Sequence, residues 1–251
     1  MAAPTPGDDA RARLVSLGFG PADVETLMAH FLAADRKGQR SHGLARVEWL
    51  ASLSGLDPAA TSQRVEVASG YERWDGGGAL GYLTLAAVVR AQLADPPERA
   101  RIVVCERTFP TGVLGLWARQ LADGGLVAAL TATSPRRLPH PAGSEPLTGT
   151  NPLAIAVPSS DGKPFVADLS MGAVTYGDVL TGQARPEELV PFGGAQAHKA
   201  FALAAGLQLL VDALTHEDDY GAVLVVAAPS ADPVPAFREL AAGLRLPGDS
   251  L

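Results

Sequence analysis

Between Pro21 and Lys37 the apolar residues Val24, Leu27, Met28, Phe31 and Leu32 return at spacings of three and four, which lines one face of a helix. Gly20-Pro21 suits its start, since proline is tolerated in a first turn, and Lys37-Gly38 suits its end. A second helix is expected from about Ser41, burying Leu44, Val47, Leu50 and either Leu53 or Ala51. The segments 64–68 and 71–75 alternate polar and apolar residues around Ser69-Gly70, the pattern of a hairpin with one wet face. A helix over 81–93, stopped by Pro96-Pro97, a strand over 101–105, a helix near 113–122 and a strand over 126–133 follow. Residues 134–148, rich in Pro, Ser, Arg and His, read as a long loop, and loops of that length commonly carry function. Strands near 152–157 and 164–168 flank the turn Ser160-Asp161-Gly162. The clearest core helix is 200–214, with Phe201, Ala204, Leu207, Leu210 or Val211, and Leu214 on one side; a strand over 222–228 and a helix over 235–243 end the pattern. Helices and strands alternate irregularly and at least two hairpins occur. The pattern predicts an α/β fold with a mixed or antiparallel sheet packed with helices.

Composition narrows the function classes. Of 251 residues 47% are hydrophobic and 19% charged, enough apolar surface for a substantial core. The net charge of -7, with no basic run longer than Arg136-Arg137, argues against nucleic acid or an anionic membrane surface as partner. No contiguous apolar run reaches the ~18 residues of a membrane span, and Met1–Asp9 lacks the basic-then-apolar order of a secretion signal. The one cysteine, Cys105, sits in Arg101-Ile102-Val103-Val104-Cys105, where a buried structural thiol is expected. With no disulfide to form, the chain suits a reducing cytoplasm. No cluster has the spacing of a metal site. His216 beside Glu217-Asp218-Asp219 makes none, and that acidic run is expected to be an exposed loop; His30 is expected on a helix surface and His140 in the 134–148 loop.

Gly76-Gly77-Gly78-Ala79-Leu80-Gly81 satisfies G-x-G-x-x-G, and a helix follows it. A dinucleotide-binding turn needs a buried parallel strand before the glycines and an acidic residue about 20 positions later. The preceding segment alternates as a half-exposed antiparallel strand does, and Asp95 and Glu98 come 14 and 17 residues after Gly81. A flexible turn before a helix accounts for the glycines better.

The densest polar chemistry lies in Asp35-Arg36-Lys37-Gly38-Gln39-Arg40-Ser41-His42-Gly43-Leu44-Ala45-Arg46. On a continuous helix His42 and Arg46 share a face. A proton-donating imidazole one turn from a guanidinium that clamps a carboxylate is what reduction of a 2-oxo or 2-imino acid requires. The same residues also fit a helix start capped by Ser41, with His and Arg solvated.

This run resembles the D-x-R-G-x-x-S-H-G-x-x-R signature of the malate/L-lactate dehydrogenase-like oxidoreductases, with Lys37 in place of the signature's Arg. Further matches follow in order: Asp75–Gly81, Pro146–Pro152, Phe165–Ser170, Pro191–Gly194, His198-Lys199 and Leu246–Gly248. Tyr176-Gly177-Asp178-Val179 is most similar to the branch that reduces Δ1-piperideine-2-carboxylate and Δ1-pyrroline-2-carboxylate. The resemblance implies a non-Rossmann fold and a relay of Ser41, His42 and Asp178, with His42 as proton donor and Asp178 orienting and stabilising the imidazole. It assigns the substrate carboxylate to Arg46 with help from Thr150, and an NADPH or NADH cleft to Asp168, Leu169, Ser170, Gly193, Gly194, His198 and Lys199. It also implies a homodimer. The division it suggests is 1–70 opening a substrate and dimer domain, 71–190 as a sheet-containing cofactor domain, and 191–251 returning to the first. Taken alone, Gly149-Thr150-Asn151-Pro152 is an ordinary turn, Asp178 a surface carboxylate and His198-Lys199 a solvated helix start.

The departures from the pattern gather on the cofactor side. Only twelve residues separate Asp178 from Pro191, Thr108-Phe109-Pro110 stands where the family has His-Phe-Gly or His-Phe-Ala, Ala200 follows Lys199 in place of Gly, and three residues are added between Gly194 and His198. The chain also ends shortly after Leu246-Pro247-Gly248, where the resemblance has it continue. Two enzymatic readings follow: an NAD(P)H-dependent reductase of a small cyclic imine or 2-oxo acid carboxylate, or a cofactor-independent acid–base enzyme (an imine/enamine isomerase, cyclase or lyase) using the same His42. A non-enzymatic binding module would have no use for the relay.

Overall fold

Seven strands in the computed structural model, which describes residues 5–215 and 219–249, join in one sheet of order β1-β2-β3-β7-β4-β5-β6. They are β1 (Gln63–Ala68), β2 (Tyr71–Asp75), β3 (Ala100–Glu106), β4 (Val127–Ala132), β5 (Leu153–Val157), β6 (Phe165–Leu169) and β7 (Ala222–Ala227). The β1–β2 and β5–β6 hairpins form where expected, the second turning through Gly162 at φ 73°. β2 and β3 are parallel and every other pair is antiparallel, so the sheet is mixed. β7 lies between β3 and β4, which puts the C-terminal segment in the middle of the sheet. Position 70 is the tip of a hairpin, and one core cluster runs from Ala10 to Val226.

On one face of the sheet α5 (Leu114–Asp123) packs against β4, β5 and β6, with α4 (Gly81–Ala94) beside it, α2 (Pro21–Arg36) against both of these helices, α1 (Pro6–Ser16) against α2, and α3 (Arg46–Ala51) against α1. α1 is not apparent from apolar periodicity. Its start is written in a capping box: the Asp8 N–H donates to Thr5 Oγ1 at 3.3 Å, and the Thr5 N–H donates to Asp8 Oδ2 at 2.9 Å. On β2 the buried face carries Trp74 and a fully buried Glu72. That carboxylate accepts from Trp74 Nε1 at 3.0 Å and Gln92 Nε2 at 2.9 Å and pairs with Arg64 and Arg101, so its charge is satisfied inside the core. Cys105 is buried, and burial pushes its thiol up to about 12, which makes it an inert core group.

The helix expected from Ser41 is broken. Residues 40–42 form a 3-10 turn, Gly43 departs from helical geometry (φ -88°, ψ -147°), and α3 begins only at Arg46. The last helix, α8 (Val234–Leu240), ends before the expected residue 243. α7 (Ala197–Leu214) lies on the other face of the sheet and buries Ala200, Ala204, Leu207 and Val211 while Leu203, Leu209 and Leu210 are exposed, so the expected one-sided stripe forms, with Val211 and not Leu210 as its member. With its preceding turn, Gly194–Leu214 is 21 residues long with mean hydropathy 1.2, long and apolar enough to cross a membrane by length and composition. The expectation drawn from contiguous runs missed it because Gln208 and Asp212 interrupt the apolar residues. His216 and the first two acidic residues of 217–219 lie outside the described residues.

The glycine motif turns between β2 and α4. β2 is parallel to its successor β3, contrary to the expectation of a purely antiparallel neighbour. The glycines nonetheless serve close backbone approach: a Cβ on Gly76 would strike the Arg107 carbonyl oxygen, and one on Gly81 would lie 2.7 Å from the Pro110 oxygen.

Candidate active site

The chemistry of residues 35–46 depends on a latch. The Asp35 carboxylate accepts the Leu44 N–H at 3.0 Å and fills the space where a Cβ of Gly43 would lie. This fixes the turn that carries Ser41 and His42. Ser41, buried, places Oγ 3.1 Å from His42 Nδ1, leaving Nε2 as the nitrogen for a substrate. Burial first, then the Arg46 charge, push His42 down to about 4, against the pull of Asp178.

Asp178 comes from α6 (Tyr176–Leu180), whose capping box it forms with Thr175. Oδ2 accepts from the Thr175 N–H at 2.9 Å and from its hydroxyl at 2.8 Å. Burial raises its pKa, but the Ser41 hydroxyl, both Thr175 donors and nearby His42 outweigh burial and hold the carboxyl below its usual range. The partner on His42 Nδ1 is therefore Ser41, with Asp178 beyond it, an order that spacing alone could not give.

Arg46 starts α3 and is 8% exposed. Its guanidinium lies 4.7 Å from the Trp49 ring centroid, its Nε is buried without a hydrogen-bond partner, and it makes no ion pair with a described residue. Gly177 allows this: a Cβ there would stand 2.6 Å from Arg46 Nη2 and 2.8 Å from the Ser41 oxygen. Although the helix between them is broken, His42 and Arg46 line one cavity of about 270 Å³ with Thr150, Asp168, Leu169 and Ser170. Thr150 is held by the motif around it. Its carbonyl accepts the Met171 N–H at 2.8 Å, and Asn151 Nδ2 donates to the Ala204 oxygen and Gln208 Oε1 of α7 at 2.9 and 3.0 Å.

Asp168 reaches the cavity wall while packing on the first turn of α5. Burial raises its pKa, and the Gly115 N–H and Lys37 oppose the rise. Gly193, Gly194, His198 and Lys199 do not join the site. They lie outside the cavity and are exposed, because Gly193 turns at φ 101° into a 3-10 segment that leads α7 along the opposite face of the sheet. Of the residues assigned to the cofactor cleft, the fold thus brings Asp168, Leu169 and Ser170 to the cavity and leaves these four apart from it.

Among the cavity residues to which sequence reasoning gave no role are Gln39, whose buried Oε1 has no partner, Tyr82, Tyr176 and Arg137. Arg137 lies in the loop marked as functional, and its guanidinium stacks 3.2 Å from the Tyr176 ring centroid. Tyr82 is fully buried, and burial pushes its hydroxyl up to about 12 despite Arg46.

His30 is the clearest correction. It is not on the surface of α2 but is 4% exposed, stacked on Trp117 at 4.6 Å and edge-on to Tyr82 at 5.0 Å. Nε2 accepts the Val113 N–H at 3.0 Å while Trp117 Nε1 donates to the Thr111 oxygen at 2.8 Å. Burial, then the His42 charge, lower its pKa to about 3, so it stays a neutral acceptor. Gly112 has no Cβ to strike Tyr82 or His30, and segment 111–113 lies flat as a cavity wall.

Comparison with known proteins finds relatives of the chain in sequence and in fold. The family model described as malate/L-lactate dehydrogenase matches residues 8–197. A Δ1-pyrroline-2-carboxylate/Δ1-piperideine-2-carboxylate reductase of Pseudomonas putida is 35% identical over 224 residues, 76% of this chain and 64% of that protein. A (2R)-3-sulfolactate dehydrogenase (NADP+) of Chromohalobacter salexigens is 33% identical over 187 residues, 73% of this chain and 56% of that protein. The chain thus spans about half to two thirds of the length of the curated relatives it matches. Among solved structures, the Δ1-piperideine-2-carboxylate reductase of Pseudomonas syringae superposes with a TM-score of 0.82 at 25% identity, covering 97% of this chain and 89% of that one. The malate dehydrogenase of Entamoeba histolytica, at 17% identity, has a TM-score of 0.84 over 98% and 86%, and shows a shared fold.

Proposed function

The chain belongs to the malate/L-lactate dehydrogenase family, and on that premise we propose that it is an NAD(P)H-dependent reductase of a small 2-oxo acid or cyclic imine carboxylate, with His42 as the proton donor. The observation that carries the reading is the pairing, in one cavity, of Arg46, buried and without an ion-pair partner among the described residues, with His42, whose Nδ1 is committed to Ser41. A buried guanidinium with an orphaned Nε is a costly arrangement unless an anion completes it. A carboxylate on Arg46, supported by Thr150, sets the adjacent carbonyl or imine carbon near His42 Nε2. Burial is the main cause of the low His42 pKa; the same carboxylate offsets the second cause, the Arg46 charge, and so helps the imidazole hold a proton for the developing alkoxide or amine. Asp178, through Ser41, then stabilises the cationic ring.

The residues present fit the nicotinamide end of a cofactor. Gln39 Oε1, buried and unpartnered, offers an acceptor for a carboxamide, and Phe109, Pro110, Val113, Leu114 and Leu169 give an apolar wall for a ring. When bound, NAD(P)H supplies the hydride. Pairing of two copies and a cytoplasmic setting, both implied by the resemblance, belong to the same proposal.

One observation favours the second reading, an acid–base enzyme without cofactor: the exposed segment from Gly193 to Lys199 contributes nothing to the cavity. Titration with NADPH and NADH, followed by nicotinamide fluorescence, separates the two. Binding in the micromolar range is expected; no binding at millimolar cofactor would transfer His42 to non-redox chemistry.

A further inference from the structure

Two guanidinium groups face the cavity, and among the described residues neither has a carboxylate partner. Arg137 lies on the Tyr176 ring, and Arg46 Nη2 lies against Gly177, so the cations flank two consecutive residues of α6. The nearest carboxylates are committed elsewhere, Asp178 to Thr175 and the Ser41–His42 pair, Asp168 to the start of α5 and to Lys37. The charge of Arg137 is felt at Arg46, where it opposes protonation. One substrate carboxylate satisfies Arg46 and leaves a second cation, half-buried Arg137, facing the same cavity, where the two like charges repel. Aromatic stacking orients Arg137 but leaves its five N–H donors without an anion.

We infer that the substrate carries two acidic groups: the carboxylate next to the reacting carbon on Arg46, and a second carboxylate or sulfonate, at the far end of a short side chain, on Arg137. The inference rests on the reductase reading only for which carbon reacts, and it narrows the substrate to a dianionic 2-oxo or 2-imino acid. A monoanionic cyclic imine carboxylate leaves Arg137 without use.

Calorimetric titration of the full chain, with and without NADPH, against two carbon-matched pairs tests it: 2-oxobutanoate with oxaloacetate, and 2-oxopentanoate with 2-oxoglutarate. We expect at least one dianion to bind about twenty-fold more tightly than its partner, the order of one charge-assisted contact. Arg137→Met brings that ratio close to one, Arg137→Lys restores part of it, and Arg46→Met weakens all four acids. Equal affinities within both pairs, or a preference that survives Arg137→Met, overturn the inference while Arg46-dependent binding leaves the reductase reading standing. Loss of NADPH affinity in Arg137→Met with the ratio unchanged assigns that arginine to a dinucleotide phosphate and overturns it equally. If none of the four acids binds in an Arg46-dependent way, the proposed function itself falls.

Discussion

The segment 35–46 and the segment 193–199 were both expected to serve one catalytic cleft, yet the fold treats them oppositely. In the first, each group is fixed by a neighbour: Asp35 fixes the Gly43-Leu44 turn, Ser41 fixes His42, Thr175 fixes Asp178, and Gly177 makes room for Arg46. In the second, Gly193, Gly194, His198 and Lys199 face outward and touch none of these. The contrast teaches that the groups proposed for acid–base and carboxylate chemistry are held by the chain's own packing, whereas those of the other side are not.

The sharpest way to break the comparison is at His42. Replacing it with Ala is expected to lower kcat/KM on the true substrate about 1,000-fold, as for loss of a general acid; a wild-type rate would mean the ordered end is not the reacting end. A pH profile refines the same point. With His42 lowered to about 4 in the free protein, the proton-bearing form is full below that value and scarce above it. For a 2-oxo acid, kcat/KM of reduction should therefore fall about tenfold per pH unit between roughly pH 5 and 7, while the reverse oxidation, which needs the neutral imidazole, stays flat there. A flat reduction profile would put the proton on another group. The smallest effect belongs to the open side: Lys199→Ala should change the NADPH dissociation constant less than about twofold, as for an exposed side chain outside a site. A loss of tenfold or more would show that the segment closes over the dinucleotide and that the two sides are less different than their packing indicates.

What was legible in the sequence was whatever a contiguous stretch decides. The strands, α2, α4 and the Ser160–Gly162 turn follow from local periodicity and turn chemistry, and Ser41, His42 and Arg46 sit in one short run. The hidden features are those settled at a distance. His30 looks like helix surface until segment 111–113, some eighty residues away, lays the Val113 N–H on it. Arg137 gains its meaning only when Tyr176 arrives beneath it. β7 enters between β3 and β4 because pairing, not order in the chain, decides its place. In α7 the spacing gave the stripe but left Leu210 or Val211 open, and only packing on the sheet chooses Val211. The residues from Gly193 to Lys199 were placed by resemblance alone, and no local signal says which way a glycine turn will lead the chain.

The flush fit at residue 177 sets a tolerance for the whole centre. With backbone oxygen and guanidinium both within 3 Å of where a methyl would begin, even alanine must displace one or the other. Variation at this position therefore meets a wall instead of a slope, and a substitution that never touches substrate should imitate the loss of the anion's anchor.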